Sequence, residues 1–293
     1  MLRPWAAHWV MFALVCRVVA QYSSDLCSWR GSGLSHETHR RDVEQVYLRC
    51  SQGSLEWLYP TGAIIINLRP NTEPSSGRMA DVHVCIKPQT FSQGSHVYLE
   101  HGGDLRLLLS DKDQAQGEVR CFSMKEGALF VEAIPQTDIS RKITAFQYEL
   151  VPSQGPGAHM YPYLRQGSVT CKPCSDQEVL MAVCTSDFAG SGIFREVMPG
   201  TNQHLVVVVT LHRLFHQKSG LFVWGGARGR AWSGRVNVPA PCIVHPGEHE
   251  YLLIGSVHFG EAWLSCAPRY KDFLRMYVEA VNAGTNPCHI DTN

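Results

Sequence analysis

The pair Cys171-Lys-Pro-Cys174 has the spacing that most directly suggests chemistry in this chain. Two cysteines separated by two residues form a redox couple in thioredoxin-like folds or one half of a zinc site. A redox couple requires a βαβ context, and a zinc site requires a second close pair. The surrounding sequence has neither, so we interpret both cysteines as structural disulfide partners.

The chain contains 14 histidines, which makes a metal site the next chemistry to test. His36-Glu-Thr-His39 and His245-Pro-Gly-Glu-His249 each miss the H-E-x-x-H spacing of zinc proteases. His212 and His216 lie four residues apart in a segment of strand character, where both would face the same side. We interpret all of these as surface histidines.

Other motifs for catalysis are missing from the sequence. There is no nucleophile elbow, phosphate-binding loop or dinucleotide fingerprint, and Gly190-Ser-Gly192 has the composition of a turn. Acids beside turns, such as Asp111 and Asp113, are usually solvated, and Asp138 alone stays a candidate calcium ligand. We therefore expect a protein that is not an enzyme and has no cofactor.

Residues 1–20 have the pattern of a secretory signal peptide. Arg3 supplies a basic start, an apolar run covers residues 9–16, and Val18-Val19-Ala20 ends it with small side chains. The run is too short for a bilayer core of about 30 Å. We expect a secreted, extracellular protein that begins at Gln21 and does not insert into a membrane.

The charge balance argues against nucleic acid as a partner. Lys and Arg number 26, as do Asp and Glu, and loss of the leader removes only two arginines. Nucleic-acid binding needs a clustered positive field, which a near-neutral chain without a polybasic run does not supply.

The cysteines predict two cross-linked domains. Of eleven, Cys16 falls in the leader, four lie between it and residue 122, and six lie after residue 170. An even number of cysteines in an oxidising compartment indicates disulfides. The sequence alone allows three connectivities for the first four and fifteen for the other six.

The first half is rich in short runs of β-branched and aromatic residues, which predict strands. They cover residues 55–59, 63–68, 81–86, 96–100, 105–109, 117–122, 128–133 and 145–151. Many short strands with little helical periodicity predict a β-sandwich or barrel. Residues 152–170, rich in Pro and Gly, predict a linker.

The second half begins with a predicted helix, because Ser175-Asp-Gln-Glu178 is a capping box directly after Cys174. Strands follow at residues 192–197, 205–211, 220–224, 234–238 and 251–257. A last helix is predicted from Pro268, at its first position, to Ala283, with Gly284 as its stop. This order predicts a β-barrel with flanking helices, and the whole chain is predicted to be mainly β.

Five motifs resemble the meteorin family: Cys27-Ser-Trp-Arg-Gly-Ser-Gly-Leu34, Glu56-Trp-Leu-Tyr-Pro60, Cys171-Lys-Pro-Cys-Ser-Asp176, Cys184-Thr-Ser-Asp-Phe188 and Phe259-Gly-Glu-Ala262. Residues 21–25, 43–50 and 67–72 are most similar to its meteorin-like branch. The resemblance implies a CUB-like β-sandwich over residues 21–151 and a netrin-like (OB-type) barrel over residues 171–293, joined by the linker 152–170.

The resemblance also implies how the ten cysteines pair. The CUB-like and netrin-like orders give Cys27–Cys50, Cys85–Cys121, Cys171–Cys242, Cys174–Cys266 and Cys184–Cys288.

The function implied by the resemblance is that of a secreted hormone or cytokine that binds a cell-surface receptor. The implied roles are in neural and glial differentiation and, for the meteorin-like branch, in adipose, metabolic and immune regulation. The alternatives are a netrin-like protease inhibitor and a matrix-binding module. Such inhibitors use the free amine of an N-terminal cysteine, whereas Cys171 lies far inside the chain. Near-neutral charge argues against a heparin-binding matrix module.

One segment is a candidate contact for the receptor. Trp224, Arg228, Arg230 and Trp232 stand among glycines, and aromatic and Arg side chains often dominate protein interfaces. A core strand followed by a glycine-rich loop would give the same pattern, and we favour that interpretation.

Overall fold

The structure of the chain is a computed structural model. It describes residues 27–35, 43–68, 82–135, 141–152, 173–200, 204–225, 230–240, 242, 244–247 and 249–292. The predicted signal peptide and nearly all of the predicted linker lie outside these ranges.

Residues 28–152 form two five-stranded sheets. Sheet A contains, in spatial order, β1 (Ser28–Ser32), β3 (Gln52–Leu58), β10 (Ile143–Pro152), β5 (Val82–Pro88) and β8 (Arg120–Ser123). Sheet B contains β2 (Val43–Leu48), β4 (Ala63–Leu68), β9 (Ala128–Ala133), β6 (Ser95–His101) and β7 (Asp104–Leu109). A one-turn helix, α1 (Asp111–Gln114), follows β7.

The two sheets pack against each other around one hydrophobic core. Alternation along the strands turns one side inward: Leu55 and Trp57 of β3 meet Ile64 and Ile66 of β4 in this core, each at most 3% exposed. Tyr148 of β10 is also buried there, and its hydroxyl donates to the Cys27 carbonyl oxygen at 2.9 Å. Two sheets around one core form the sandwich that the sequence predicts.

Residues 188–266 form a third sheet that closes on itself. Its strands are β11 (Phe188–Pro199), β12 (His204–Gln217), β13 (Val223–Trp224), β14 (Trp232–Pro239), β15 (Tyr251–His258) and β16 (Glu261–Cys266). Pairing runs from β11 through β12, β14, β16 and β15 back to β11, and β13 is added beside β14. The closed ring of five strands is the predicted barrel.

The predicted turn at Gly190 to Gly192 is wrong, because both glycines lie inside β11. A Cβ atom added to Gly192 would lie 2.2 Å from the Thr210 carbonyl oxygen of the neighbouring strand. The pairing register also shifts between Ala189 and Gly190 and between Ser191 and Gly192. These glycines therefore permit bulges and a close approach of two strands.

Two helices pack on the outside of the barrel, as predicted. They are α2 (Asp176–Thr185) and α3 (Tyr270–Asn282). Val179 of α2 and Phe273 of α3 share a buried cluster with Leu252 of β15. The helices therefore cover one side of the barrel with their apolar stripes.

The ends of these helices test the sequence signals. The capping box is confirmed, since Ser175 Oγ accepts from Glu178 N–H at 3.3 Å and the Glu178 carboxylate accepts from Ser175 N–H at 2.7 Å. The prediction that Pro268 is the first helical residue is wrong by two positions, because α3 begins at Tyr270 after the N-cap residue Arg269. Gly284, with φ of +66°, follows the helix as the predicted stop.

The mainly β prediction is confirmed, and strands β4 and β9 have the predicted bounds. The sequence analysis does not predict β1, β2, β16 or α1. Among the described residues, no helix is long and apolar enough to cross a membrane.

Four disulfides lie between described cysteines. They join Cys27 to Cys50, Cys85 to Cys121, Cys174 to Cys266 and Cys184 to Cys288, the partners that the resemblance implies. Cys242 is disulfide-bonded, and its predicted partner Cys171 lies outside the described ranges, so that pairing stays a prediction.

Candidate recognition surface

The candidate receptor contact, for which we favour a structural role, lies at the β13–β14 edge of the barrel. Trp224 and Trp232 face each other across this strand pair, edge to face, with ring centroids 5.3 Å apart. Trp224 is 50% exposed, whereas Trp232 packs partly against the barrel core. Arg230 is exposed, and Arg228 lies outside the described residues. The structure therefore brings the two tryptophans together, and their role in receptor binding stays a prediction.

The histidines singled out by spacing make separate contacts. His212 Nδ1 lies 3.3 Å from Glu250 Oε1, and His216 Nε2 lies 3.1 Å from the Ser186 carbonyl oxygen. Within the described ranges, no group of three or more His, Cys, Asp or Glu side chains is arranged to hold a metal ion.

The acids considered for calcium are used in local structure or lie outside the described part of the chain. Asp111 Oδ1 accepts from Gly94 N–H at 2.5 Å. Hydrogen bonds from the side chain and backbone of Ser110 hold the pKa of Asp113 below its ordinary value. Asp138 is not among the described residues.

The barrel covers part of the outer side of sheet A, at β10, β5 and β8. Glu149, Cys85 and Cys121 lie in one row across β10, β5 and β8. Phe259, from the turn between β15 and β16, packs on Cys85 and Val151, and these three are 8%, 0% and 4% exposed. We name one set of sheet A residues the covered face: Cys85, Lys87, Cys121, Glu149 and Val151.

Polar groups surround the Phe259 contact. Glu149 accepts from the backbone N–H of Phe259, and its second oxygen lies 3.3 Å from His258 Nδ1. Lys87 Nζ lies 2.7 Å from Glu261 Oε1. The contact between the two halves thus has an apolar centre and a charged rim, as protein interfaces do.

The turn that carries Phe259 has an unfavourable backbone for that residue. Phe259 and Gly260 have φ of +51° and +78°, which fits a two-residue hairpin turn with positive φ at both positions. Such turns favour Asn or Gly, because a larger side chain is strained there. The one strained side chain of the turn is also the one buried on the covered face.

Among the described residues, none buries the outer side of sheet B as Phe259 buries part of sheet A. Strand pairing places Gln45, Ile65, Phe130, Tyr98 and Leu107 in one row across all five strands. The sequence neighbours of Ile65, Phe130 and Tyr98 are core residues, so these three side chains point outward. Gln45 and Leu107 are paired with Ile65 and Tyr98 and lie on the same side. At about 4.8 Å between strands, the row is roughly 19 Å long.

Two more apolar residues, Tyr47 and Leu105, lie on the same side. Tyr47, Leu105 and Leu107 are 51%, 46% and 52% exposed. The rings of Tyr98 and Phe130 meet edge to face with centroids 6.4 Å apart. We name the set Tyr47, Ile65, Tyr98, Leu105, Leu107 and Phe130 the open face. Exposed apolar patches of this kind mark interaction sites.

Tyr98 is the polar group near the centre of the open face. Burial raises the pKa of the Tyr98 hydroxyl above its ordinary value, and Glu132, which accepts its hydrogen bond, raises that pKa further. The phenol therefore stays neutral at physiological pH, where tyrosine combines an apolar ring with a hydrogen-bonding tip.

Neither face is predicted from the sequence. A signal for the open face exists in Ile64-Ile65-Ile66, because a strand with one solvated side normally alternates apolar and polar residues. The row itself depends on which strands pair, and that information is not local. Phe259 appears in the sequence only as part of a family motif.

Comparisons with known proteins assign the family. Residues 29–160 match the model for the Meteorin-like protein N-terminal domain, and residues 173–280 match the model for the Meteorin C-terminal domain. Meteorin-like protein from Danio rerio is 57% identical over 295 residues, with 100% of both chains covered. Its Homo sapiens counterpart is 50% identical over 94% of this chain and 86% of its own. Meteorin from Rattus norvegicus is 39% identical over 96% and 97% of the two chains. The resemblance read from the motifs is confirmed, and the chain belongs to the meteorin family.

Proposed function

We propose that this protein is a secreted signalling factor that acts by binding a cell-surface receptor. Membership of the meteorin family, disulfides in both halves and the leader pattern of residues 1–20 support the proposal. The observation that carries it is the open face, since exposed aromatic and aliphatic side chains on a rigid sheet suit contact with another protein. The protein would act by recognition, without catalysis or a cofactor.

The finer assignments belong to the same proposal. We propose a CUB-like domain over residues 21–151, a linker over 152–170 and a netrin-like domain over 171–293. Two packed five-stranded sheets support the first, and a closed five-stranded barrel with two outer helices supports the last. The implied roles in neural and glial differentiation and in adipose, metabolic and immune regulation follow from the family.

Crosslinking on living cells tests this function. Purified protein comprising residues 21–293 carries a photoreactive label, and neural, adipose and immune cells serve as targets. We expect saturable binding to at least one cell type, displaced by excess unlabelled protein, and capture of a membrane protein. Protein with reduced and blocked cysteines is the control. Failure to find a saturable protein partner on any of these cells would contradict the proposal.

A further inference from the structure

We infer that the open face docks on a protein surface with an apolar centre and Lys or Arg residues on both sides of that centre. The inference rests on the proposed function, because the partner is the receptor. It adds which surface makes the contact and what chemistry the receptor presents to it.

The charges on the outer side of sheet B are unbalanced. Its fourteen outward positions are 43, 45, 47, 63, 65, 67, 96, 98, 100, 105, 107, 128, 130 and 132. Glu100 and Glu132 are the acids among them, His96 is the single titratable base, and no position holds Lys or Arg. The complete chain has equal numbers of acids and bases, so the imbalance is a property of this side.

The two carboxylates lie on opposite sides of the apolar row. Glu132 pairs with His96 and Ala63 on one side of it. Glu100 pairs with Leu105 on the other side. A partner that covers the row therefore meets one carboxylate at each flank, and a cation at each flank complements them.

Both carboxylates are already held in place. Glu100 Oε1 accepts from Gly103 N–H at 2.9 Å. Glu132 accepts from the Tyr98 hydroxyl. Preorganised side chains lose little conformational entropy when a partner binds, which favours ion pairs with incoming cations.

The same charges argue against two other occupants. A protein face that docks on anionic lipid carries Lys or Arg around its apolar centre, whereas the open face is flanked by Glu100 and Glu132. A second copy of the chain would bring the same two carboxylates and no Lys or Arg, which leaves like charges at the contact. A receptor surface with an apolar centre and a basic rim complements both the apolar row and the two carboxylates that flank it.

Quantitative binding of labelled protein to a responsive cell type tests the inference. The double variant Leu105→Ser/Leu107→Ser removes exposed apolar groups, and Val278→Ser on α3 is the matched control, since Val278 is 53% and Leu107 52% exposed. The charge variant Glu100→Gln/Glu132→Gln keeps the shape of both side chains. Trp224→Ala tests the barrel edge in the same assay.

We expect the double serine variant to bind about tenfold more weakly or worse, with Val278→Ser unchanged. The double glutamine variant should associate more slowly, and its association rate should depend less on NaCl concentration. Thermal melts of all variants show that their folds are intact.

Four results would overturn the inference while leaving receptor binding in place. In the first, the double serine variant binds as well as the wild type; in the second, Trp224→Ala loses binding while the double serine variant keeps it. In the third, the protein binds phosphatidylserine vesicles through Leu105 and Leu107. In the fourth, the wild-type protein is a dimer and the double serine variant is a monomer. Absence of saturable binding by the wild-type protein would instead refute the proposed function, and the inference with it.

Discussion

The two outer sides of the sandwich differ in what lies on them. On sheet A, Cys85 and Val151 are buried beneath Phe259 of the barrel, whereas on sheet B Leu105 and Leu107 are about half exposed. Both sides carry apolar residues where a sheet with one solvated side normally presents polar ones. One apolar side therefore has its partner within the chain, and the other, on our proposal, has its partner in a receptor.

The covered face shows what a partner of this domain looks like. Its centre is apolar, and its rim pairs Glu149 with the turn at Phe259 and Lys87 with Glu261. The open face supplies a similar apolar centre and is flanked by two carboxylates, but no outward position of sheet B holds a Lys or Arg that would complement them. The difference defines what the external partner must contribute.

The largest effect is expected from Phe259→Ala, which removes the barrel side chain that packs on the centre of the covered face. Loss of a buried aromatic side chain should lower the free energy of unfolding by about 3 kcal/mol, measured by urea denaturation. Small-angle X-ray scattering should show a larger radius of gyration as the two halves separate. Phe91→Ala is the control, because Phe91 is 56% exposed. Equal losses in the two variants would break the comparison.

A smaller effect is expected from Glu149→Gln, which keeps the shape of the side chain and removes its charge. The Glu149 side chain is 12% exposed and accepts from the backbone of Phe259. Weakening this charge-assisted hydrogen bond should lower the free energy of unfolding by about 1–2 kcal/mol. Glu56→Gln is the control on the same sheet, since Glu56 pairs with Arg30 at the exposed surface. If Glu149→Gln and the wild type had indistinguishable urea midpoints, the Glu149 carboxylate would not stabilise the contact with the barrel.

Tyr148, on the inner side of the same strand, should make the free energy of unfolding depend on pH in the alkaline range. Burial raises the pKa of its hydroxyl from 10.0 to about 12, so the folded state holds this proton more tightly than the unfolded state. Its contribution to stability is complete below pH 10 and is lost as pH rises from there through about 12.

Tyr148→Phe should cost about 1 kcal/mol at pH 7, because the hydrogen bond to Cys27 is lost. The variant should also lose less stability than the wild type as the pH rises from 10.0 to about 12, measured by urea midpoints at each pH. Parallel alkaline declines for the two proteins would show that Tyr148 does not titrate with unfolding.

The smallest effect is expected on the open face. Leu107→Ser should change the free energy of unfolding by less than about 0.5 kcal/mol, because the side chain is already half exposed. The matched variant Val278→Ser should behave alike in urea denaturation. A loss of several kcal/mol in Leu107→Ser alone would mean that the open face is covered in the folded protein.

Much of the fold is predictable because its signals are local. Residues 63–68 and 128–133 are apolar runs bounded by turn residues, and they form β4 and β9 with those bounds. The Ser175 capping box and the Gly284 stop each depend on a few neighbouring residues. The four described disulfide pairs agree with the order that the family resemblance implies, whereas cysteine spacing alone leaves the pairing open.

The candidate surfaces are less predictable because they arise from pairing between distant strands. Ile65, Phe130 and Leu107 lie in one row only after three pairings among four strands have found their registers. Composition also misleads where tertiary contacts decide, as at Gly192, which allows two strands to approach closely. The residues Phe259-Gly260 alone do not predict a turn whose aromatic side chain is buried against sheet A.

Hydroxyl-radical footprinting of the protein, first free and then bound to responsive cells, shows which of the two outer sides of the sandwich meets a receptor. The account predicts that Tyr98, Leu105 and Leu107 are oxidised in the free protein and protected on cells, while Phe259 is protected in both states. Val278, equally exposed on α3, should be oxidised in both. Unchanged oxidation of the open face on binding, or ready oxidation of Phe259 in the free protein, would contradict the account.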